Sequence, residues 1–271
     1  DISVISLGFN TKKSFHTIDL SLKADARMNV PGALFSWAKE ASEVLDMSKL
    51  ALNADARLEL SYGYSRAILK NARFGFRVKL LAGLVKAQYM MDKLYLTANQ
   101  DQWTVESAGS GYYAAPFPLI TDGADRRVSE IEMPGDYNEI IDNVIAARNL
   151  GAAIDLGFSI DVIKYLTLSA SVTDLGVMTW NNAYMLGSPD KPWTYEGFDG
   201  IGDEQMDWNE QFSVLGEELV DLVYPRVLSE GAKKLDMLSM TAHLGVELRM
   251  PFWQRLSVGA LGTARIDGPY T

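Results

Sequence analysis

Few residues of this 271-residue chain have the types and spacing that catalysis requires. Its histidines are His16, beside a predicted turn, and His243, which could form a serine–histidine–acid site with Ser239 or Glu247. We favour a simple polar position on a strand for His243, because all members of such a site would have to meet inside one lumen. The segment AGSGY at 108–112 lacks the spacing of a nucleophile elbow, and phosphate loops and dinucleotide fingerprints are absent. The sequence therefore predicts a protein that is not an enzyme and has no cofactor or metal ligands.

Charged side chains recur on one side of several alternating segments, and they are the stronger candidates for function. Their mixed signs allow two interpretations. Cross-strand ion pairs would stabilise a narrow, polar lumen, which we favour. A basic track would instead guide an anionic head group, such as a fatty-acid carboxylate. The candidate lumen-lining residues are Lys23, Arg27, Arg57, Glu59, Arg77, Lys79, Asp155, His243, Glu247, Arg249, Arg255 and Arg265.

The elements that position these charges are β-strands with one apolar and one polar face. In TIDLSLKADAR (17–27) every second residue is apolar, and the residues between are polar or charged. Seven further stretches repeat this period of two, which is the periodicity of a strand. Short turns are predicted at 10–15, 67–73, 161–164 and 251–254, and long loops at about 28–56, 88–148 and 175–237. Short turns at one end and long loops at the other are typical of outer-membrane barrels.

The composition agrees with such a barrel and excludes other classes. Hydrophobic residues make up 48% of the chain, yet the mean hydropathy is only −0.03, so apolar residues are dispersed. No run approaches the roughly 18 apolar residues of a membrane helix. The formal charge of −10 argues against a nucleic-acid partner, and the absence of cysteine excludes disulfides and zinc–thiolate sites.

The long loops contain segments of regular structure. Apolar residues at helical spacing predict helices over 33–46, 137–149 and 209–223. We expect their apolar stripes to pack on the rim of the barrel or on each other, with a partner-binding surface or a lid as the alternative. A β-hairpin is predicted over 93–107 as an extension beyond the membrane. The acidic stretch 199–210 lacks EF-hand spacing and is predicted to be a solvated loop.

Several of these segments resemble a known superfamily. SASVTDLGVMTW (169–180) resembles a strand motif of FadL/PorV-like outer-membrane barrels. The segments ADARLELSYGYSR, RFGFRVKLLAGL and LGVELRMPFWQRLSVG resemble a functionally unassigned branch of that superfamily. The resemblance covers most of the chain and implies an all-β fold, an antiparallel transmembrane β-barrel of about fourteen strands when complete. It also implies short periplasmic turns and long, partly helical extracellular loops. Since the alternation gives only eight strands, or at most ten, we predict that 1–271 is a single barrel domain, incomplete at both ends.

The resemblance implies two functions from different classes. A FadL-like protein would transport hydrophobic or amphipathic small molecules across the outer membrane, so its partners would be membrane lipid and such a ligand. A PorV-like protein would be a non-transporting subunit or scaffold that binds other outer-membrane proteins. We predict transport in the outer membrane, with the subunit as the alternative, and we disfavour a soluble β-protein or a barrel enzyme.

Overall fold

The chain folds, in a computed structural model, into one antiparallel β-sheet. The structure describes residues 1–40, 44–98, 102–132, 135–189, 191–195, 208–250, 252 and 256–266. Within these residues the sheet has fourteen strands, and three helices lie in its connections. The predicted all-β, antiparallel class is therefore confirmed. In the same residues, no helix has the length and apolar character needed to cross a membrane.

The elements follow one another in a simple order. The strands are β1 (Ile2–Asn10), β2 (Ser14–Asn29), β3 (Val44–Asp46), β4 (Ala51–Leu69), β5 (Ala72–Ala98), β6 (Trp103–Ala114), β7 (Leu119–Asp122), β8 (Arg127–Ile131), β9 (Leu150–Ile163), β10 (Leu166–Gly187), β11 (Lys191–Tyr195), β12 (Arg226–Met237), β13 (Met240–Arg249) and β14 (Ser257–Ile266). The helices are α1 (Ala33–Glu40), α2 (Tyr137–Ala147) and α3 (Trp208–Val223). Tight turns join β1 to β2, β4 to β5 and β9 to β10, as predicted.

Eight strands form a continuous wall in which each is antiparallel to the next. Their order is β1, β2, β4, β5, β9, β10, β13 and β14. Directly paired residues share a face, so the row Thr17–Gly63–Arg77–Asp155 defines one side, called the inner face below. The neighbouring row Ile18–Tyr62–Val78–Ile154 defines the opposite, outer face. The wall is curved, because Arg265 on β14 reaches across the inner face to Asp25 on β2 at 3.3 Å.

Two positions in this wall are occupied by two strands placed end to end. β9 pairs with 72–82 of β5, and β6 pairs with 86–98 of the same strand, so the segment 115–149, with β7, β8 and α2, connects them. Of this segment, β8 pairs with β12 at Arg127 and Arg226. β12 and β13 follow one another along β10 in the same way. The fourteen strands are therefore not fourteen neighbours around a barrel. The strands also extend further into all three predicted loops than the alternation indicated, and these extensions form an upper layer remote from the tight turns.

The helices start and end close to their predicted limits, with one exception. α2 begins after Asp136, whose carboxylate accepts a hydrogen bond from the Asn138 amide, and it ends at Arg148 in the left-handed conformation. The helix predicted over 33–46 is too long, because Val44–Asp46 form β3. That short strand pairs with 95–97 of β5, and the sheet hydrogen bonds replace the helical ones.

Candidate functional site

The middle of the inner face is occupied by charged side chains that pair with one another. We call this group the ion-pair cluster. Its carboxylates are Asp19, Asp25, Asp55, Glu59, Asp155, Asp174 and Asp236, and its cations are Lys23, Arg27, Arg57, Arg77, Lys79, Lys86 and Arg265. Seven carboxylates thus meet seven cations, and the cluster is formally neutral.

The deepest charges of the cluster each have two partners. Lys79 is 3% exposed, and its Nζ lies 2.7 Å from Asp155 Oδ1 and 2.5 Å from Asp174 Oδ1. Glu59 is equally buried; its Oε2 lies 3.0 Å from Lys23 Nζ, and its Oε1 accepts a 2.9 Å hydrogen bond from Arg57 Nε. A buried charge is costly unless it is paired and hydrogen-bonded. The geometry of the cluster meets that requirement at both residues.

Asp174 joins the cluster through a β-bulge. The register between β9 and β10 shifts between Val172 and Leu175, and Asp174 has a φ of 60°. Its backbone N–H donates to Asp155 Oδ1 at 2.8 Å, while its own carboxylate accepts from Lys79. A bulge of this kind re-aims a side chain relative to simple alternation. Asp174 was therefore missed by the sequence analysis, although the TDLG segment does interrupt the alternation there.

An apolar layer lies beside the cluster on the side away from the tight turns. Leu81, Tyr112, Met178 and Trp180 are each at most 5% exposed and pack together. The Trp180 ring lies directly against Gly83, where a Cβ atom would be 2.6 Å from the ring. The Tyr112 hydroxyl donates to Asp236 Oδ2 at 2.5 Å and so connects this layer to the cluster. Side chains thus fill the inner face at this level.

The turn end of the inner face is open by contrast. Its inner positions carry small residues such as Ser65, Gly75, Gly157 and Ser171, and they leave a cavity of about 650 Å³, called the turn-end cavity below. Its rim includes 10–15, the turn between β1 and β2.

A second cavity, the apolar cavity, lies on the outer face of the upper layer and has a volume of about 460 Å³. The pairs Leu52–Tyr89 and Ala87–Tyr113 place its floor on the outer face. The β7–β8 hairpin covers it through Leu119, Val128 and Ile131. Its described lining contains no Asp, Glu, Lys or Arg, so this wall is uncharged at neutral pH. Both the volume and the apolar lining suit a small-molecule ligand.

The predicted lumen-lining residues fall into three groups. Those in the ion-pair cluster are Lys23, Arg27, Arg57, Glu59, Arg77, Lys79, Asp155 and Arg265. Glu247 and Arg249 are exposed on β13, and His243 lines the turn-end cavity, 3.1 Å from Thr263 Oγ1. Arg255 lies outside the described residues.

The structure also shows where the members of the candidate serine–histidine site lie. Arg27 Nη2 donates to Ser239 Oγ at 3.2 Å and His243 contacts Thr263, so the serine–histidine pair is not assembled. No group of His, Cys, Asp and Glu in the described part of the chain could hold a metal ion. The acidic stretch 199–210 lies mostly outside that part. The sequence analysis also missed Asp55, Lys86 and Asp236, which the register brings into the cluster.

The comparisons with known proteins give a family but no characterised relative. A model described as a family of unknown function, DUF5723, matches residues 1–271. No curated protein and no solved structure matches the chain significantly.

Proposed function

The chain belongs to the DUF5723 family, whose function is unknown, and we propose that it is an integral β-barrel protein of an outer membrane that transports hydrophobic or amphipathic small molecules. This function is FadL-like, in keeping with the sequence resemblance described above. The observation that carries the proposal is the apolar cavity on the outer face.

The outer face supports a membrane location. Leu60, Leu80 and Leu244 are 49%, 60% and 68% exposed there, which is unusual for a wall in contact with water. Towards the tight turns the apolar residues give way to aromatic ones: ring centroids of Tyr64 and Phe76 are 5.5 Å apart, and those of Phe74 and Phe76 are 6.4 Å apart. An aromatic band at one limit of an apolar belt is a feature of transmembrane barrels.

The apolar cavity supports a route for ligand that avoids the charged inner face. Leu52 in its floor lies on the same face of β4 as Leu58 and Leu60, so the cavity continues the apolar outer surface. An apolar molecule entering from the lipid would meet no ion pair. Passage through the cluster would instead require it to separate buried charges, which is unfavourable. We therefore place the bound molecule between the β7–β8 hairpin and the sheet.

A second candidate function, a non-transporting subunit or scaffold, is favoured by the filled inner face. The ion-pair cluster and the apolar layer leave no wide passage through the described residues at their level. Ile141 and Ile145 on α2 are 55% and 67% exposed and one helical turn apart, so they form a small apolar stripe for a protein partner.

The test is mass spectrometry of the molecules that copurify with the protein from native membranes in mild detergent. Ala87→Phe projects a ring into the apolar cavity, and Ala260→Phe, on the outer face of β14, adds the same ring elsewhere. We expect a stoichiometric lipid or other apolar molecule on the wild type and on Ala260→Phe, with a loss of at least roughly tenfold on Ala87→Phe.

Two other outcomes have different meanings. A stoichiometric protein partner without bound lipid would replace transport by the subunit function. Recovery of the protein from the soluble fraction without detergent would overturn the membrane barrel itself.

A further inference from the structure

The turn-end cavity differs from the rest of the inner face in its charge. Lys12, Lys13 and Arg73 line it, and the described residues of its wall include no carboxylate. Arg66 also borders the cavity, but its pairing with Phe74 places its side chain on the outer face. The ion-pair cluster, by contrast, balances every cation with an acid. Positive charge is therefore concentrated at one end of the inner face.

These three cations, Lys12, Lys13 and Arg73, also have no acidic partner among the described residues. None of them forms an ion pair with any residue that the structure describes, whereas Lys79 and Arg57 in the cluster each have two acidic partners. Asp161, a carboxylate at the same end of the sheet, accepts a 2.6 Å hydrogen bond from Thr167 and does not line the cavity. The cations are thus available to a ligand.

Most of the remaining polar side chains of the wall are hydroxyls, and Asn10 and His243 are the others. Ser65, Ser159, Ser169 and Ser171 lie around the cavity, and each can donate a hydrogen bond. Arg73 is paired with Ser159 across β5 and β9, so a guanidinium and a hydroxyl stand side by side. Arginine and hydroxyl donors together suit an oxyanion with several acceptor oxygens.

We propose that the turn-end cavity binds a phosphate monoester. Such a group carries a charge of about −1.5 to −2 at neutral pH and three acceptor oxygens, so it can engage more than one of the three cations at once. A carboxylate brings one charge and two oxygens and leaves most of the cations uncompensated. The phosphate can belong to a soluble compound or to a lipid head group. This site is separate from the apolar cavity, and it does not depend on transport.

The test is titration calorimetry on the full chain in non-ionic detergent and phosphate-free buffer. One arm uses inorganic phosphate and glycerol 3-phosphate, and the other uses phosphatidic acid in mixed micelles. Arg73→Gln removes a cation from the wall of the cavity. Lys70→Gln is the matched control, since Lys70 lies in the turn between β4 and β5 but does not line the cavity.

We expect binding that weakens with added sodium chloride and falls roughly tenfold in Arg73→Gln, because a charge-assisted hydrogen bond is lost. Lys70→Gln should bind like the wild type. Binding in the first arm identifies a soluble phosphate ligand, and binding in the second arm alone identifies a lipid head group.

Three results would overturn the proposal. They are no binding in either arm, equal weakening by Arg73→Gln and Lys70→Gln, and acetate binding as tightly as phosphate. Arg73 is exposed and forms no ion pair with the residues that the structure describes, so its replacement should leave the unfolding midpoint in urea unchanged.

Discussion

Replacement of Lys79 by methionine should destabilise the fold strongly, because it removes the cation at the centre of the ion-pair cluster. The side chain is 3% exposed and is shared between Asp155 and Asp174. Methionine keeps the length of the side chain, so the principal change is the loss of charge. The two carboxylates, 15% and 17% exposed, would then face one another.

The magnitude follows from burial and from the partners that remain. Removing one member of a buried ion pair costs about 3–5 kcal/mol, since an uncompensated charge is left behind. Lys23 Nζ, 3.5 Å from Asp174 Oδ1, still balances part of that charge. We therefore expect a loss near the lower limit, about 3 kcal/mol in the free energy of unfolding.

The assay is urea unfolding in detergent micelles, monitored by tryptophan fluorescence. The slope of the unfolding free energy against urea concentration should be the same in the variant and the wild type. Arg126→Ala is the control, because it breaks the ion pair between Arg126 and Glu230, which are 42% and 54% exposed. An exposed pair contributes at most about 1 kcal/mol, so this variant should unfold almost as the wild type does.

A double variant tests the cause. Asp174→Asn removes one of the two carboxylates that Lys79 neutralises. The loss of unfolding free energy in the double variant Lys79→Met/Asp174→Asn should therefore be smaller than the sum of the two single losses, by about 0.5–3 kcal/mol. Two results would refute the assignment of Lys79 as a buried charge paired with both acids. One is that the two single losses simply add in the double variant, and the other is that Lys79→Met is no less stable than Arg126→Ala.

Two further predictions concern the outer face and the upper layer. Leu156→Arg places a charge on the outer face. If that face meets lipid near the midplane, the variant should lose about 2–4 kcal/mol of unfolding free energy, measured by urea unfolding from a lipid bilayer. Tolerance of the charge would reverse the assignment of inner and outer faces. Arg226 Nε donates to Asp125 Oδ2 at 2.6 Å, and this hydrogen bond lowers the pKa of Asp125 below its ordinary value of 3.8. The stability that the lowered pKa contributes is present above pH 3.8 and is lost as pH falls through the folded-state pKa. Hydrogen exchange at the Val227 amide, which donates to the Arg126 carbonyl, reports on this region. After correction for its intrinsic rate, this exchange should accelerate at low pH in the wild type and not in Asp125→Asn.

The sequence determined the faces of the wall and the tight turns. In 17–27 every residue keeps its predicted side, because the backbone of a strand alternates between its two faces wherever no bulge interrupts it. The limits of α2 and α3 were also close to prediction, since capping and helical spacing are local signals. The closed barrel, its membrane and its cargo remain predictions.

The tertiary structure alone decided where the long strands end and which charges meet. The register shifts opposite Ala56/Arg57 and between Met91 and Lys93 each place an extra residue in β5 and interrupt its period of two, so the alternation hid the extension of β5 to Ala98. The bulge that aims Asp174 at Lys79 depends on β9 lying opposite. The apolar cavity likewise exists only because the β7–β8 hairpin folds back over the outer face. Each of these features is a contact between residues far apart in the chain, and a local pattern of residue types carries no information about which distant partner is chosen.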